Sequence, residues 1–283
     1  MTKGVVIFAD SNEKIDYVKI AAANAAMINY HMNVPVHLIT SNDDNMDEAY
    51  MKLFKGGISI RPYVPTPLDI NQRAYIGYGR YEKLSWHNSP RPMVYDDTPF
   101  EETILIDADY LILDDTLNAC WGASEEVLMA SEAVDVLGNR PSLKERRLFD
   151  TNIPMSWATV VYFRRSERAR LFFELVKNVK TNWQFYTTMF NVSAGLYRND
   201  YAFSIAAHLM NDCVDGGIKP IPNEKLLTSF AADKIMKIRK GEIDLAAKED
   251  DWHYPVKVKQ NLHYMNKFDL NDRADEILEI YSE

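Results

Sequence analysis

The sequence has few cysteines and no long apolar run, two features that often identify the class of a protein directly. Its 283 residues include only two cysteines, Cys120 and Cys213, far apart and without metal-ligand spacing. They predict free thiols, as expected in a reducing cytoplasm. No apolar run approaches the roughly 18 residues of a membrane-spanning helix, and the run at residues 5–9 stops at Asp10, which argues against a signal peptide. From the sequence alone we expect a soluble, cytoplasmic protein.

Basic residues are also in short supply. The chain has 32 Lys and Arg against 41 Asp and Glu, a formal net charge of −9. Proteins that grip a nucleic-acid backbone normally carry an excess of positive charge, so this balance disfavours such a partner. The densest basic clusters, at residues 144–147 and 164–170, are typical of solvated helix faces. Hydrophobic residues make up 47% of the chain, which is ample for one large core.

Short β-branched segments alternate with helical patterns in the first half of the chain. Strands are predicted over residues 4–10, 34–40 and 58–63, and helices over residues 13–30 and 46–55. This order predicts an α/β fold with an open, mostly parallel (mixed) sheet and helices on both faces. A further helix, predicted over residues 71–89, would carry Arg80 and Lys83 on one face.

The second half is less regular but contains clear signals of its own. A strand is predicted over residues 159–163, and a last amphipathic helix over residues 271–281. Ser166 and Asn199 are predicted to cap two further helices. Because neither a repeat nor a linker is evident, we expect one domain over residues 1–283 with an elaborated C-terminal half.

The most informative segment is the apolar strand at residues 103–109, which runs into two carboxylates. Asp107 and Asp109 project to the same side if the backbone stays extended. Two like charges at that spacing are costly unless a cation lies between them. Asp-x-Asp is typical both of a divalent-metal site facing a diphosphate and of an acidic surface turn. Ligands of parallel sheets bind beyond the carboxyl ends of the strands, where Asp10 is also predicted, and this agreement favours the metal site.

Residues 98–109 carry a proline-aromatic pair, a few polar residues and an apolar strand that ends in Asp-x-Asp. This segment resembles the nucleotide-sugar glycosyltransferases of the GT-A fold, especially the glycogenin-like family eight group. Further features match in order from residue 4 to residue 267, including Asp10, the basic segment with Arg80, and a late His263. The resemblance implies that about residues 1–115 bind the nucleotide-sugar and about residues 116–283 the acceptor, with His263 returning to the metal site.

The resemblance also implies roles for individual residues. Asp107, Asp109 and His263 would hold Mn²⁺, or Mg²⁺ in its place, with His253 as a competing ligand. The implied nucleotide-sugar contacts are Ala9, Asp10, Arg80, Lys83, Asp107, Ala108, Asp109 and Lys267, and the implied catalytic residues are Asp200 and Asn199. The expected reaction is retaining transfer of a hexose or pentose from a nucleotide-diphosphate sugar, with a UDP-sugar as the expected donor, to a hydroxyl group.

Two departures from the family pattern concern the acceptor side. The family's asparagine-x-glycine is matched only by Asn152, which no glycine follows, and its acid-glutamine pair is matched by Asp200 and Tyr201. A non-catalytic nucleotide-sugar-binding protein therefore stays an alternative. A sugar nucleotidyltransferase is a second one, although residues 9–12 lack the expected glycine-rich basic loop.

The acceptor is left open by the sequence. A polysaccharide, a lipid-linked sugar, a protein and a hydroxymethylated phage DNA base are all considered. The absence of a membrane anchor disfavours the lipid-linked sugar. A DNA acceptor would have to bind at the basic cluster of residues 164–170, and the net charge of the chain disfavours DNA as a partner.

Overall fold

The computed structural model describes residues 1–41, 46–62, 72–77, 79–138, 147–194, 196–214, 218–223 and 225–282. The end of the third predicted strand at residue 63 and the basic residues 144–146 lie outside these ranges.

In chain order the strands are β1 (Lys3–Phe8), β2 (Val36–Thr40), β3 (Ile58–Ile60), β4 (Gln72–Gly77), β5 (Arg80–Ser85), β6 (Glu102–Asp107), β7 (Tyr110–Leu111), β8 (Val127–Ala130), β9 (Ala133–Asp135), β10 (Trp157–Arg164), β11 (Lys219–Pro220), β12 (Leu226–Thr228), β13 (Lys234–Arg239), β14 (Glu242–Glu249), β15 (Trp252–Val258) and β16 (Leu262–His263). The α-helices are α1 (Tyr17–His31), α2 (Glu48–Met51), α3 (Val94–Asp97), α4 (Glu167–Thr181), α5 (Trp183–Met189), α6 (Asn199–Met210) and α7 (Lys267–Ser282). Short 3-10 helices cover Arg91–Met93 and Thr116–Cys120.

A seven-stranded sheet in the order β11-β8-β10-β6-β1-β2-β3 forms the centre of the molecule. Strand β10 runs antiparallel to both of its neighbours, and the remaining neighbouring pairs are parallel. One buried face packs against α1 and α7, and the opposite face against α4 and α6. The predicted α/β class, with an open, mostly parallel sheet and helices on both faces, is confirmed.

Helix starts follow local capping chemistry. The Oδ1 atom of Asp16 accepts a hydrogen bond from Lys19 N at 3.0 Å, so α1 begins at Tyr17 rather than at residue 13. The Oγ atom of Ser166 accepts from Ala169 N at 3.1 Å, which confirms the predicted cap of α4. The prediction that Asn199 caps α6 is wrong by one residue, since Arg198 occupies the cap position and Asn199 is the first helical residue.

The helix predicted over residues 71–89 is wrong in its described part. Residues 72–77 and 79–85 instead contain the antiparallel hairpin of β4 and β5, in which Gly77 pairs with Arg80. Gly79 has a φ angle of +67°, a value that favours glycine and suits a tight turn. The two glycines are turn signals, and they outweighed the helical spacing of Arg80 and Lys83.

Other boundaries shift by a few residues. Helix α2 is shorter than the predicted 46–55, and β3 ends at Ile60. Helix α7 begins four residues earlier than predicted, at Lys267, because the Oδ1 atom of Asn266 accepts from Asp269 N at 3.2 Å and closes the first turn. In the part of the chain that the structure describes, no helix combines the length and apolar character needed to cross a bilayer.

A buried asparagine on α1 fixes the segment that follows β6. The side-chain amide of Asn24 donates to Ala108 O at 3.3 Å and to Tyr110 O at 2.7 Å. Its Oδ1 accepts from Ile112 N at 3.2 Å, and the residue is fully buried. Three backbone groups thus depend on one side chain, because solvent cannot replace the bonds that it makes.

We predict that Asn24→Ala lowers the free energy of unfolding by on the order of 3 kcal/mol, since it leaves three buried backbone groups without that partner. Urea denaturation measures the change. Asn29→Ala on the same helix is the matched control, because Asn29 donates one hydrogen bond to Leu53 O, and we expect a loss of about 1 kcal/mol there. Equal losses in the two variants would contradict the role given to Asn24.

Candidate metal centre and adjoining cavity

The two acidic residues of the Asp-x-Asp segment lie where β6 ends. Asp107 is the last residue of β6, and Asp109 follows in the turn that leads to β7. A second, four-stranded sheet brings the late part of the chain to this point, because β7 pairs with β16 and places His263 opposite Tyr110. Tyr264 N also donates to Asp109 O at 2.9 Å. Residues more than 150 positions apart in the sequence therefore meet at one end of the sheet.

Asp107, Asp109 and His263 form a group whose ligand atoms all lie within 4.8 Å of one another. Carboxylate oxygen and imidazole nitrogen suit Mn²⁺, with Mg²⁺ as a harder substitute. The donor set therefore fits a divalent cation. His253 is exposed on β15 and does not belong to this group, so the geometry favours His263 of the two histidines considered.

Asp109 lies in a strongly cationic environment. The ammonium group of Lys267 forms an ion pair with its Oδ2 atom, and His263 Nε2 lies 3.5 Å from Oδ1. Burial raises the pKa of Asp109, but Lys267 and His263 outweigh that effect and hold the pKa well below its ordinary value. The carboxyl group is therefore ionised, which is the form that a metal ligand needs.

Asp107 is held from the other side by a buried arginine. Arg91, which is 1% exposed, places Nη1 at 2.5 Å from Asp107 Oδ1 and at 3.2 Å from Ile106 O. Its Nη2 atom donates to Ala158 O and Thr159 O. Burial raises the pKa of Asp107 above its ordinary value, and the Arg91 charge opposes that rise. Sequence reasoning missed Arg91, whose position between two prolines gave no sign of its partner.

A cavity of about 690 Å³ opens beside the metal centre, at the carboxyl ends of β1 and β6. Nine of the residues predicted for the site line it: Ala9, Asp10, Asp107, Ala108, Asp109, Asn199, Asp200, His263 and Lys267. Asp10 is fixed by hydrogen bonds that its Oδ1 accepts from Thr40 Oγ1 and Ser41 N. The ends of two neighbouring parallel strands thus supply acidic residues to one cavity, as expected for this type of sheet.

The structure places Arg80 and Lys83 away from the lining of this cavity. Arg80 lies over the ring of Phe268, 3.8 Å from its centroid, and its Nε donates to Glu82 Oε1 at 2.7 Å. Lys83 is exposed on β5. Of the three basic residues that the resemblance implies, Arg80, Lys83 and Lys267, Lys267 alone lines the cavity.

Asn199 and Asp200 line the cavity at the start of α6. The Oδ1 atom of Asp200 accepts from Ala158 N at 2.9 Å, so the carboxylate is tied to the start of β10. The side chain of Asn199 donates to Asn88 O at 2.9 Å and accepts from Tyr197 OH at 3.0 Å. Asn152, the weak match to the family pattern, is exposed and does not line the cavity.

Two arginines of the cavity lining were not predicted from the sequence. Arg73 on β4 lies over the ring of Trp86, 3.4 Å from its centroid, and donates to Tyr197 O at 2.9 Å. Burial, and then the charge of Arg198, lower the pKa of Arg73 to about 10. Arg198 Nη2 lies 3.6 Å from Asp200 Oδ2.

Comparison with known proteins gives structural neighbours only. No family model matches the sequence, and no curated protein matches it. Among solved structures, the chain is similar to the apo form of the glycosyltransferase GlyE of Streptococcus pneumoniae TIGR4, at 12% identity and a TM-score of 0.45 over 79% of this chain and 46% of that one. The chain thus spans less than half of that neighbour.

Two further neighbours are of the same kind. The galactosyltransferase LgtC in complex with donor and acceptor sugar analogs is 12% identical, with a TM-score of 0.46 over 77% of this chain and 72% of that one. Mouse xyloside xylosyltransferase 1 in its apo form is 12% identical, with a TM-score of 0.43 over 76% of this chain and 84% of that one. These are glycosyltransferases, the class that the sequence resembles. Structural similarity at this level does not establish function, which has to be argued from the residues of the site.

We predict that Lys267→Gln raises the pKa of Asp109, because the ammonium group that stabilises the carboxylate is removed. NMR titration of the carboxyl carbon in metal-free buffer measures the change. A depressed pKa contributes stability above the ordinary value of 3.8 that is lost as the pH falls through the folded-state pKa, so the variant should lose stability mainly near neutral pH. Lys83→Gln is the control, and an equal shift of Asp109 in both variants would contradict the assignment.

Proposed function

We propose that the protein is a metal-dependent glycosyltransferase that moves a sugar from a nucleotide-diphosphate sugar to a hydroxyl acceptor. The main support for this proposal is that the three possible metal ligands line the cavity. Asp107, Asp109 and His263 converge at the edge of a cavity of about 690 Å³, which is large enough for a nucleotide-sugar. Lys267, which contacts Asp109, adds a cation at the place where phosphates would lie.

Each residue of the donor end has a proposed task. Asp109, Asp107 and His263 hold Mn²⁺ or Mg²⁺, which acts as a Lewis acid toward the departing diphosphate when it is bound. Lys267 donates hydrogen bonds to the phosphates. Asp10 accepts from ribose hydroxyl groups at the end of β1, beside Ala9. We propose a UDP-sugar as donor and about residues 1–115 as the donor-binding half.

Asp200 and Asn199 line the same cavity, and we propose that they face the reacting centre. A fixed carboxylate there stabilises positive charge that develops on the sugar, or holds the acceptor hydroxyl, without reorganising during the reaction. Transfer with retention is proposed from the family resemblance. The acceptor half, about residues 116–283, supplies α6 and β16.

Two other functions remain as alternatives. A sugar nucleotidyltransferase would form a nucleotide-sugar from a sugar phosphate and a nucleoside triphosphate. A binding protein without turnover would hold the donor and leave it intact. For the acceptor, a saccharide is proposed ahead of a hydroxymethylated DNA base, because the chain is acidic and the cluster at 164–170 is largely engaged: Arg165 donates to Phe100 O and Thr98 O, and Arg170 pairs with Glu167.

We predict that the wild-type protein binds UDP only when Mn²⁺ or Mg²⁺ is present, and releases UDP from a UDP-sugar at a measurable rate. Asp109→Asn should weaken metal-dependent UDP binding at least tenfold and abolish turnover, because it removes the charge of the principal ligand. Isothermal titration calorimetry measures the binding, and chromatography of the released nucleotide measures the turnover.

The control for this experiment is Asp115→Asn, an exposed acid beyond β7 that does not line the cavity. Its binding and turnover should equal those of the wild type. Wild-type protein that binds no nucleotide-sugar with metal present would refute the proposed function. Tight binding without turnover on any acceptor would favour the binding protein.

A separate prediction concerns the acceptor end. Asp200→Asn should lower kcat by about 100-fold or more and leave the affinity for UDP with Mn²⁺ within twofold, because Asp200 acts on the reacting sugar and not on the diphosphate. Steady-state kinetics and calorimetry separate the two effects. A matching loss of UDP affinity would show that Asp200 serves the donor nucleotide instead.

A further inference from the structure

The segment between α4 and α6 carries no charge over a long stretch. Residues 181–197 include no acidic residue, no basic residue and no histidine, in a chain of which 26% is charged. Stretches without charge normally lie in the core, as residues 20–28 of α1 do. The segment 181–197 includes α5, and part of it lies on the surface. Its lack of charge is therefore a property of the protein surface as well as of the core.

Helix α5 directs apolar side chains both inward and outward. Trp183, at its start, is buried, as expected for the inner side of a surface helix. Phe185 is 61% exposed and Met189 is 49% exposed, and residues four apart lie on the same face of a helix. Leu196, which follows the helix, is 50% exposed. We call Phe185, Met189 and Leu196 together the α5 surface.

The α5 surface adjoins the cavity. Leu196 belongs to the lining of the cavity itself. The Trp183 ring packs edge-on against the Tyr197 ring, with a centroid distance of 5.2 Å. The Tyr197 ring in turn lies 6.3 Å from the ring of Trp86, another residue of the cavity lining. The exposed apolar side chains and the cavity are therefore neighbouring parts of the molecule.

The size and composition of the α5 surface favour a lipid bilayer over a protein as the partner that covers it. Side chains of this size bury roughly 250 Å² each at most, and only about half of each is exposed, so the three offer less than the roughly 800 Å² per partner of a stable protein interface. A bilayer interface needs no complementary shape, favours aromatic rings and disfavours charge. The half-buried rings of Tyr186 and Phe190, 6.5 Å apart, belong to the same uncharged segment.

We propose that the α5 surface docks the protein on a lipid bilayer, with its three side chains at the boundary between head groups and acyl chains. The driving force is the burial of apolar surface, and three partly exposed side chains give weak, reversible binding. Because Leu196 belongs to both surfaces, docking brings the cavity lining to the bilayer. The acceptor class rests on the proposed function: a glycosyltransferase docked in this way acts on a saccharide carried by a lipid, which the sequence alone disfavoured.

Co-sedimentation with vesicles of equimolar phosphatidylcholine and phosphatidylglycerol, without nucleotide, tests the docking. The wild-type protein should sediment with the vesicles at low and at high salt, because salt screens charges and leaves apolar contacts in place. Phe185→Glu and Met189→Glu should each lower the apparent affinity for vesicles roughly fivefold or more, because a charge is unfavourable at this depth. Both residues are exposed, so the core stays intact, and circular dichroism verifies the fold of each variant.

Met236→Glu on β13 and Trp252→Glu on β15 are the matched controls. Both residues are more exposed than Met189, and neither belongs to the described lining of the cavity. These variants add the same charge elsewhere on the surface, so their vesicle binding should equal that of the wild type. An equal loss in the controls would show that α5 has no special part in binding and would overturn the proposal.

Wild-type protein that stays in the supernatant, or binding that high salt abolishes, would also overturn the docking. So would a dimer in solution that Phe185→Glu dissociates, measured by analytical ultracentrifugation, since a second copy of the chain would then cover the α5 surface. These results leave the proposed function intact. Wild-type protein that binds no UDP in the presence of Mn²⁺ refutes that function instead, and the vesicle experiment still decides the docking.

Discussion

The two neighbouring aspartates where β6 ends, Asp107 and Asp109, are the constraint on which the site depends. Burying an unpaired negative charge costs free energy, and the cost is larger for two carboxylates only one residue apart. The fold meets that cost with Arg91 from one side and Lys267 from the other, while Asn24 fixes the backbone between them. Secondary elements from three distant parts of the chain are needed because a single strand end cannot supply these partners.

The antiparallel strand of the mixed sheet also contributes to this arrangement. Strand β10 runs antiparallel beside β6, and its first residues reach the metal end of the cavity. There the backbone at Ala158 donates to Asp200 and accepts from Arg91. One short stretch of β10 therefore connects Asp200 with Arg91, the partner of Asp107, so a shift in its register would disturb both contacts.

The sequence predicted well wherever the signal was local. A few neighbouring residues are enough to identify the buried β-branched strands, the Ser166 cap and the Asp-x-Asp segment. Prediction from the sequence failed where tertiary contacts decide the structure. Residues 72–77 and 80–85 form a hairpin despite the helical spacing of Arg80 and Lys83. Arg91 pairs with Asp107, and this contact forms only on folding. Arg73 and Arg198 could not be assigned to the cavity in advance, since the contacts of Arg73 with Trp86 and of Arg198 with Asp200 arise only on folding. His263 was found because a resemblance, rather than a spacing, pointed to it.

The pairing of β7 with β16 has a consequence for biosynthesis. Ribosomes release the chain from its N-terminus, so the aspartates emerge well before the histidine and lysine that complete their surroundings. Such long-range contacts form slowly because a large loop must close first. Until β16 and α7 have been synthesised, Asp109 lacks both of its cationic partners, and its buried position becomes affordable only after they pack against it.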